Sequence, residues 1–157
     1  MSTEHRDHAI GGNYGRLIIM AALSLVSMYF LMYAMVDRPA NVYGNLNQLF
    51  MAGLMTTPMI LLELVVMRGM YPNRRHNAII AVGSLALGVA MFVFIRQQRG
   101  ISDNQFLRSM IPHHSGAILM CERAQLRNTE LRELCGLIIA SQQDEIDQMA
   151  AMLAGRP

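Results

Sequence analysis

Three long stretches almost free of charge constrain the fold of this chain more than any other feature. Residues 17–36 and 78–95 contain no charged side chain, and residues 49–67 contain one, Glu63. An α-helix needs about 20 residues to cross about 30 Å of hydrocarbon. We therefore predict an all-α protein with three transmembrane helices, over about 17–36, 48–68 and 77–96.

The remaining segments predict a simple domain order. Residues 1–15 are polar and contain glycines, which indicates a mobile tail before a membrane domain over 16–97. The first apolar run is too long for the core of a signal peptide, so we expect it to remain as an anchor. Residues 101–157 are more polar and form a separate C-terminal domain. A net charge of +2 is too small to suggest binding to nucleic acid.

Two details of the spans predict how their helices pack. Pro58 lacks a backbone donor and crowds the carbonyl of Leu54, so we expect a kink and a hydroxyl of Thr56 or Thr57 to satisfy the freed group. Small residues four apart in the third span allow a close helix contact, and these are Ser84 and Gly88.

The arginines near the spans favour an external C-terminal domain by one residue. Five lie on the side of the N-terminus and the second loop, and four lie on the other: Arg6, Arg16, Arg68, Arg74 and Arg75 against Arg38, Arg96, Arg99 and Arg108. Cytoplasmic loops carry the excess of positive charge. We therefore expect a cytoplasmic N-terminus and an external C-terminal hairpin.

The C-terminal domain has the pattern of an antiparallel helical hairpin. Helices are predicted over 103–126 and 130–154, with Ser102 capping the first and Asn128 or Thr129 capping the second. Folding the chain about residue 128 places the two cysteines at the same level. By the same count His114 lies opposite Gln142 and Met110 lies near Ile146, with a register uncertainty of a few residues.

The predicted seam between these helices is unusually polar. Apolar residues would normally fill such a seam, because burying polar groups without partners costs free energy. Here it contains side chains that bind metals or form hydrogen bonds: Asp103, Met110, His113, His114, Cys121, Cys135, Gln142, Glu145 and Met149. The pattern therefore indicates a ligand or a hydrogen-bonded network.

The hairpin sequence resembles the ferritin-like "domain of unknown function 305" family, which includes periplasmic copper-binding proteins. The residues that carry the resemblance are Asp103-x-x-Phe106-x-x-x-Met110-Ile111-Pro112-His113-His114-x-Gly116-Ala117-Ile118-x-Met120 and Ile138-Ile139-x-x-Gln142-x-x-Glu145-Ile146-x-x-Met149. They cover one hairpin and leave the three spans outside.

This resemblance implies an α-helical bundle that binds copper through methionine and histidine. Carried over by position, the metal ligands are Met110, His113, His114, Met120 and Met149. A four-helix bundle needs two hairpins, and this chain has one. The other half would come from a second copy of the chain, from another membrane or envelope protein, from the spans, or from nowhere. We expect a bacterial inner-membrane protein with a periplasmic hairpin, and a homo-oligomer or such a partner besides the lipid bilayer.

Ligand chemistry favours copper(I) for such a set. Thioether sulfur and imidazole nitrogen are soft to borderline donors. Adjacent histidines point about 100° apart, which argues against chelation of one ion by both rings unless Pro112 bends the helix. Asp103, Gln142 and Glu145 would support the ligands. In the alternative interpretation, Gln142, Glu145 and backbone groups satisfy the histidines and no metal binds.

Two further sets of residues have open interpretations. Cys121 and Cys135 are inert small side chains, a disulfide, or a thiolate pair for copper(I). In the second span, Met51, Met55 and Met59 follow a spacing of four, with Glu63 in the same row. An ionisable group within the hydrocarbon usually faces a partner or a pathway, so this row is a possible copper path.

Three functions follow from these patterns. The first is a membrane-anchored protein that sequesters copper or hands it on. The second is a copper permease or accessory subunit that uses the methionine row and Glu63. The third is a structural or partner-binding membrane protein without metal. No nucleophile–base–orienter set is present, so we do not expect an enzyme.

Overall fold

Helices account for all the regular structure in the part of the chain that is described. The computed structural model describes the backbone of residues 3–155 and the side chains of residues 12–155. The helices are α1 (Thr3–Leu31), α2 (Leu46–Val66), α3 (Arg74–Gln97), α4 (Asp103–Arg123) and α5 (Thr129–Leu153). Two short 3-10 turns, Met32–Met35 and Pro39–Asn41, lie between α1 and α2. The predicted all-α fold is confirmed.

These helices belong to two units. A membrane-type unit contains the residues up to Phe30 and Leu49–Arg99. A hairpin unit contains Leu31–Gln48 and the residues from Gly100 onward. The connection between α1 and α2 therefore belongs to the hairpin unit, although it is distant from the hairpin in sequence.

Three helices of the described chain are long and apolar enough to cross a bilayer: Gly12–Met35, Leu46–Val66 and Arg74–Gln97. Most of their apolar side chains face outward, as Leu23, Leu62 and Leu85 do at 63%, 63% and 61% exposure. A water-soluble protein would not expose so continuous an apolar surface. The helix α1 begins at Thr3, within the segment for which the sequence predicted a mobile tail.

Small and hydroxyl side chains join α2 to α3, as predicted. Ser84 and Gly88 are buried, and a Cβ atom added to Gly88 would lie 2.7 Å from Thr57 Oγ1. Pro58 lies inside α2, and the Thr57 hydroxyl donates a hydrogen bond of 2.9 Å to the carbonyl of Leu54. A hydroxyl therefore satisfies the carbonyl that Pro58 leaves free.

The hairpin unit is built on α4 and α5. Ser102 and Asn128 cap these helices with their side chains, as predicted, although α4 ends at Arg123 and not near 126. The core consists of Ile111, Ile118 and Ile146, which are 0%, 1% and 3% exposed. A disulfide between Cys121 and Cys135 joins the helices near their connection, with the Cα atoms 5.3 Å apart.

Candidate functional site

The helix α4 has three sides with different surroundings, and these decide what its side chains can do. One side packs on α5 through Ile111 and Ile118. A second side packs on the 31–48 connection. The third side is covered by neither of these elements and carries Phe106, His113 and Met120, all exposed.

His114 lies on the α5 side, and both of its ring nitrogens are hydrogen-bonded. Nδ1 lies 2.9 Å from the Met110 carbonyl oxygen, and Nε2 lies 2.6 Å from Glu145 Oε2. The carbonyl only accepts, so Nδ1 carries a hydrogen. Nε2 is held by the Glu145 carboxyl group. Both ring nitrogens are therefore occupied by hydrogen bonds, and neither is free for a metal.

Its neighbour His113 lies on the uncovered side. The two ring centroids are 6.0 Å apart, and His113 is exposed while His114 is 8% exposed. Within residues 12–155 the ring of His113 forms no hydrogen bond. The alternative interpretation, in which Glu145 and backbone groups satisfy the histidines, therefore agrees with the structure for His114. It does not agree with the structure for His113.

The other predicted ligands lie at different depths. Met110 is half-buried one turn before His113, and Met120 is 56% exposed two turns after it. Met149 packs on the isoleucine core of the hairpin. The candidates for supporting residues are also dispersed, because Asp103 is exposed in the first turn of α4 and Gln142 is half-buried on α5.

The cysteines form the disulfide and carry no thiolate in this structure. Their prediction as metal ligands is therefore wrong for the oxidised protein, and the disulfide alternative is confirmed. Closing a loop with a sequence separation of 14 residues stabilises a fold by about 3 kcal/mol in the chain-entropy account. The sequence left this open because inert, bridged and thiolate cysteines share the same spacing.

No group of three or more His, Cys, Asp or Glu side chains within the described residues is arranged to hold a metal. A metal site on this hairpin would therefore depend on thioether donors beside a single imidazole. The uncovered side of α4 supplies both kinds: the ring of His113, with the sulfurs of Met110 before it and Met120 after it.

The second side of α4 carries a polar network that the sequence analysis missed. Ser115 is fully buried, accepts the backbone N–H of Asp37 at 2.8 Å and donates its hydroxyl to the Asp37 carboxylate. Asn41 and Arg38 also donate to that carboxylate, each at 2.7 Å. Arg38 also donates a hydrogen bond of 2.7 Å to Gln143 Oε1 of α5. One short segment therefore binds both hairpin helices.

This network keeps Asp37 ionised. Burial raises the pKa of the Asp37 carboxyl, but the hydrogen bonds from Ser115, Arg38 and Asn41 lower it by more, so the pKa lies below the ordinary value of 3.8. The Asp37 side chain is only 5% exposed. A buried carboxylate with three donors is stable only while all of them are in place.

Close backbone contact extends the same interface along α4. A Cβ atom added to Gly116 would lie 3.3 Å from the Met35 carbonyl oxygen. Gln105 accepts the backbone N–H of Leu46 at 2.9 Å, and Asn47 donates to Ser109 at 3.1 Å. The connection between α1 and α2 therefore supplies part of the cover that the sequence analysis sought from a second subunit or from the spans.

The predicted membrane path does not form an enclosed row in one chain. Met51 and Met55 are 40% and 45% exposed, and Met59 is half-buried. Glu63 accepts a hydrogen bond of 3.2 Å from the Tyr71 hydroxyl. This carboxylate therefore has a local partner at the end of α2.

Comparison with known families agrees with the resemblance of the hairpin. Residues 89–153 match the family described as Domain of unknown function (DUF305). The sequence analysis placed all three spans outside the resemblance, but the match begins within α3 and includes the end of the third span. This DUF305 region contains all of α4 and α5.

The similarity to one known protein extends beyond the DUF305 region. The uncharacterized protein L153 of Acanthamoeba polyphaga mimivirus is 29% identical over 147 residues, which cover 92% of this chain and 95% of that protein. No solved structure shows a significant match.

Proposed function

We propose that this chain is a membrane-anchored protein that binds copper(I) on the uncovered side of α4, through His113 and Met110. The observation that carries the proposal is the exposed ring of His113, which forms no hydrogen bond in the described part of the chain. Met110 lies one turn away, a spacing that places the two Cβ atoms about 5–6 Å apart. Imidazole and thioether are donors that suit copper(I).

Met120 lies on the same side of α4 but outside this site. It is two helical turns beyond His113, about 10 Å along the axis, and ten residues beyond Met110, about 15 Å. Its thioether therefore does not reach an ion held by Met110 and His113.

His114 has a positioning role in this proposal. Its hydrogen bonds to the Met110 carbonyl and to Glu145 link the turn that carries Met110 and His113 to α5. The fixed turn presents the donors outward without a large rearrangement on binding. Preorganised ligands lose less conformational freedom when the metal binds.

An exposed site suits transfer better than storage. A metal on an uncovered helix face is accessible to a second protein, whereas stored metal is usually enclosed. Exposed apolar residues near the site and on α5 could contact that protein, and these are Phe106, Leu131, Leu134 and Leu137. We therefore favour copper hand-over, with a second copy of the chain or another envelope protein as the partner.

The disulfide supports a location outside the cytoplasm. Disulfides persist in oxidising compartments and are rare where thiols are kept reduced. We propose that α1–α3 cross the membrane and that the hairpin lies on its external side. This agrees in direction with the small arginine excess on the other side.

A copper(I) competition titration tests the proposal on the full chain in nonionic detergent, without a thiol reductant. His113→Ala should weaken copper(I) binding by at least about tenfold, which corresponds to a loss of about 1.4 kcal/mol in binding free energy. His76→Ala is the matched control, because His76 is an exposed histidine at the start of α3. Unchanged affinity in His113→Ala would refute the assignment.

A further inference from the structure

The end of the membrane-type unit where α2 meets α3 carries four exposed arginines. Arg16 lies in α1, Arg68 follows α2, and Arg74 and Arg75 begin α3. Among the described side chains none of the four forms an ion pair. All four are exposed, so their guanidinium groups are accessible to an external anion.

Hydrogen bonds and ring contacts join the segments that carry these arginines. The Tyr14 hydroxyl donates to Asn77 Oδ1 at 2.7 Å, and its ring lies 5.3 Å from that of Tyr71. Asn13 donates to the Met70 carbonyl at 3.0 Å. The start of α1 is thereby fixed to the turn between α2 and α3, so arginines from three helices are collected at one end of the unit.

Among the described side chains of this region, the acidic group is Glu63, and it already has a partner. Glu63 accepts the hydroxyl hydrogen of Tyr71, which is 3% exposed. Burial, and then the neighbouring Glu63 charge, raise the pKa of Tyr71, so the hydroxyl keeps its hydrogen. Glu63 therefore has a partner other than the arginines.

Outward apolar side chains adjoin the charged ones. Val65 lies one turn before Arg68, and Ile79 lies one turn after Arg75, at 70% and 69% exposure. A ligand at this place meets guanidinium groups at one level and an apolar surface at the next. That combination fits an amphipathic anion better than a free one.

We propose that this arginine cluster binds the phosphate headgroups of anionic phospholipids, while the adjoining apolar residues contact their acyl chains. Guanidinium groups bind phosphate through two parallel hydrogen bonds. Basic clusters beside a span are attracted to anionic lipid surfaces. This inference depends on the proposed insertion of α1–α3 in a membrane and is independent of copper.

Mass spectrometry of intact protein–lipid complexes tests it. The full chain in nonionic detergent is exchanged with phosphatidylglycerol or phosphatidylcholine, and the retained lipid is counted. The natural chain should prefer phosphatidylglycerol. In the triple variant Arg68→Gln/Arg74→Gln/Arg75→Gln, that preference should fall about fivefold for each charge removed. The control Arg96→Gln/Arg99→Gln/Arg108→Gln removes the same charge at exposed positions outside the cluster and should keep that preference.

Three results would overturn the proposal: equal retention of both lipids by the natural chain, equal loss in the two triple variants, or displacement of the lipid by inorganic phosphate at the same concentration. Copper(I) affinity is measured on the same samples. It should be the same in both triple variants and in the natural chain, so a failure of lipid binding can be told apart from a failure of metal binding.

Discussion

His113 and His114 are neighbours in the chain, but their ring nitrogens meet different surroundings. Adjacent residues of a helix point about 100° apart. His114 therefore turns toward α5, where its Nε2 is hydrogen-bonded to Glu145, and its Nδ1 is hydrogen-bonded to the Met110 carbonyl of α4. His113 turns away from α5. One sequence motif thus contains a fixed structural histidine and an available one.

Ser115 has the most direct structural role at this scale. Ser115→Ala removes the partner of the Asp37 N–H and one donor to its carboxylate, and both groups stay buried. We expect a loss of about 1–3 kcal/mol in the free energy of unfolding. Unfolding of the purified chain in detergent measures it, with the exposed Ser141→Ala on α5 as the control. Equal unfolding curves for the two variants would contradict the network.

The lowered pKa of Asp37 predicts that the free energy of unfolding falls in acid. A carboxyl whose pKa is lowered by folding stabilises the folded state fully above its unfolded value, here 3.8. That contribution disappears as the pH falls through the lower folded value. The natural chain should therefore exceed Asp37→Asn in free energy of unfolding at about pH 6, and the difference should shrink toward about pH 3. A difference that stays constant with pH would argue against it.

At the scale of helices, the hairpin register shows where sequence reasoning worked and where it did not. The cysteines pair at the level predicted by folding about residue 128, because their side chains are short. His114 is hydrogen-bonded to Glu145, which lies three residues after the predicted partner Gln142. Side chains lean toward the N-terminus of their own helix, and the two helices are antiparallel, so long side chains meet with an offset.

The contact between the 31–48 connection and α4 could not be predicted in this way. Helix caps and apolar spans are local patterns, and the sequence therefore predicted them well. Asp37 and Ser115 are 78 residues apart in sequence and belong to no periodic pattern. A polar connection beside a span looks like an ordinary solvated loop until its partner is known.

The α2–α3 contact leads to a prediction with an internal control. Gly88→Ala places a Cβ atom 2.7 Å from Thr57 Oγ1, so a helix must shift or Thr57 must leave the Leu54 carbonyl. We expect a loss of about 1–3 kcal/mol, as for other overpacked sites. Gly83→Ala lies in the same helix with open space around it and should not destabilise. Thermal unfolding of both variants in detergent decides, and equal melting temperatures would contradict the close contact.

For the whole molecule, the number of spans fixes which parts share a side. With three crossings, the connection after α1 and the chain after α3 emerge on the same side of the bilayer. This is the pair of segments that Asp37, Arg38 and Ser115 join in the hairpin unit. The observed contacts therefore agree with three complete crossings.

Labelling of intact cells tests this topology. Ala40→Cys and Gln125→Cys place single exposed thiols in the first connection and between α4 and α5. Both should react with a membrane-impermeant maleimide from outside. Gly69→Cys, between α2 and α3, should react only after permeabilisation. The reverse pattern would place the hairpin in the cytoplasm, and joint labelling of positions 69 and 125 would exclude three crossings.

X-ray absorption at the copper edge of the copper(I)-loaded full chain tests the central claim most directly. The natural chain and His114→Ala should both show an imidazole nitrogen together with thioether sulfur around the metal. His113→Ala should lose the imidazole signal and retain the sulfur from Met110. An unchanged ligand shell in His113→Ala, or a shell without sulfur in the natural chain, would contradict a copper site on the uncovered side of α4.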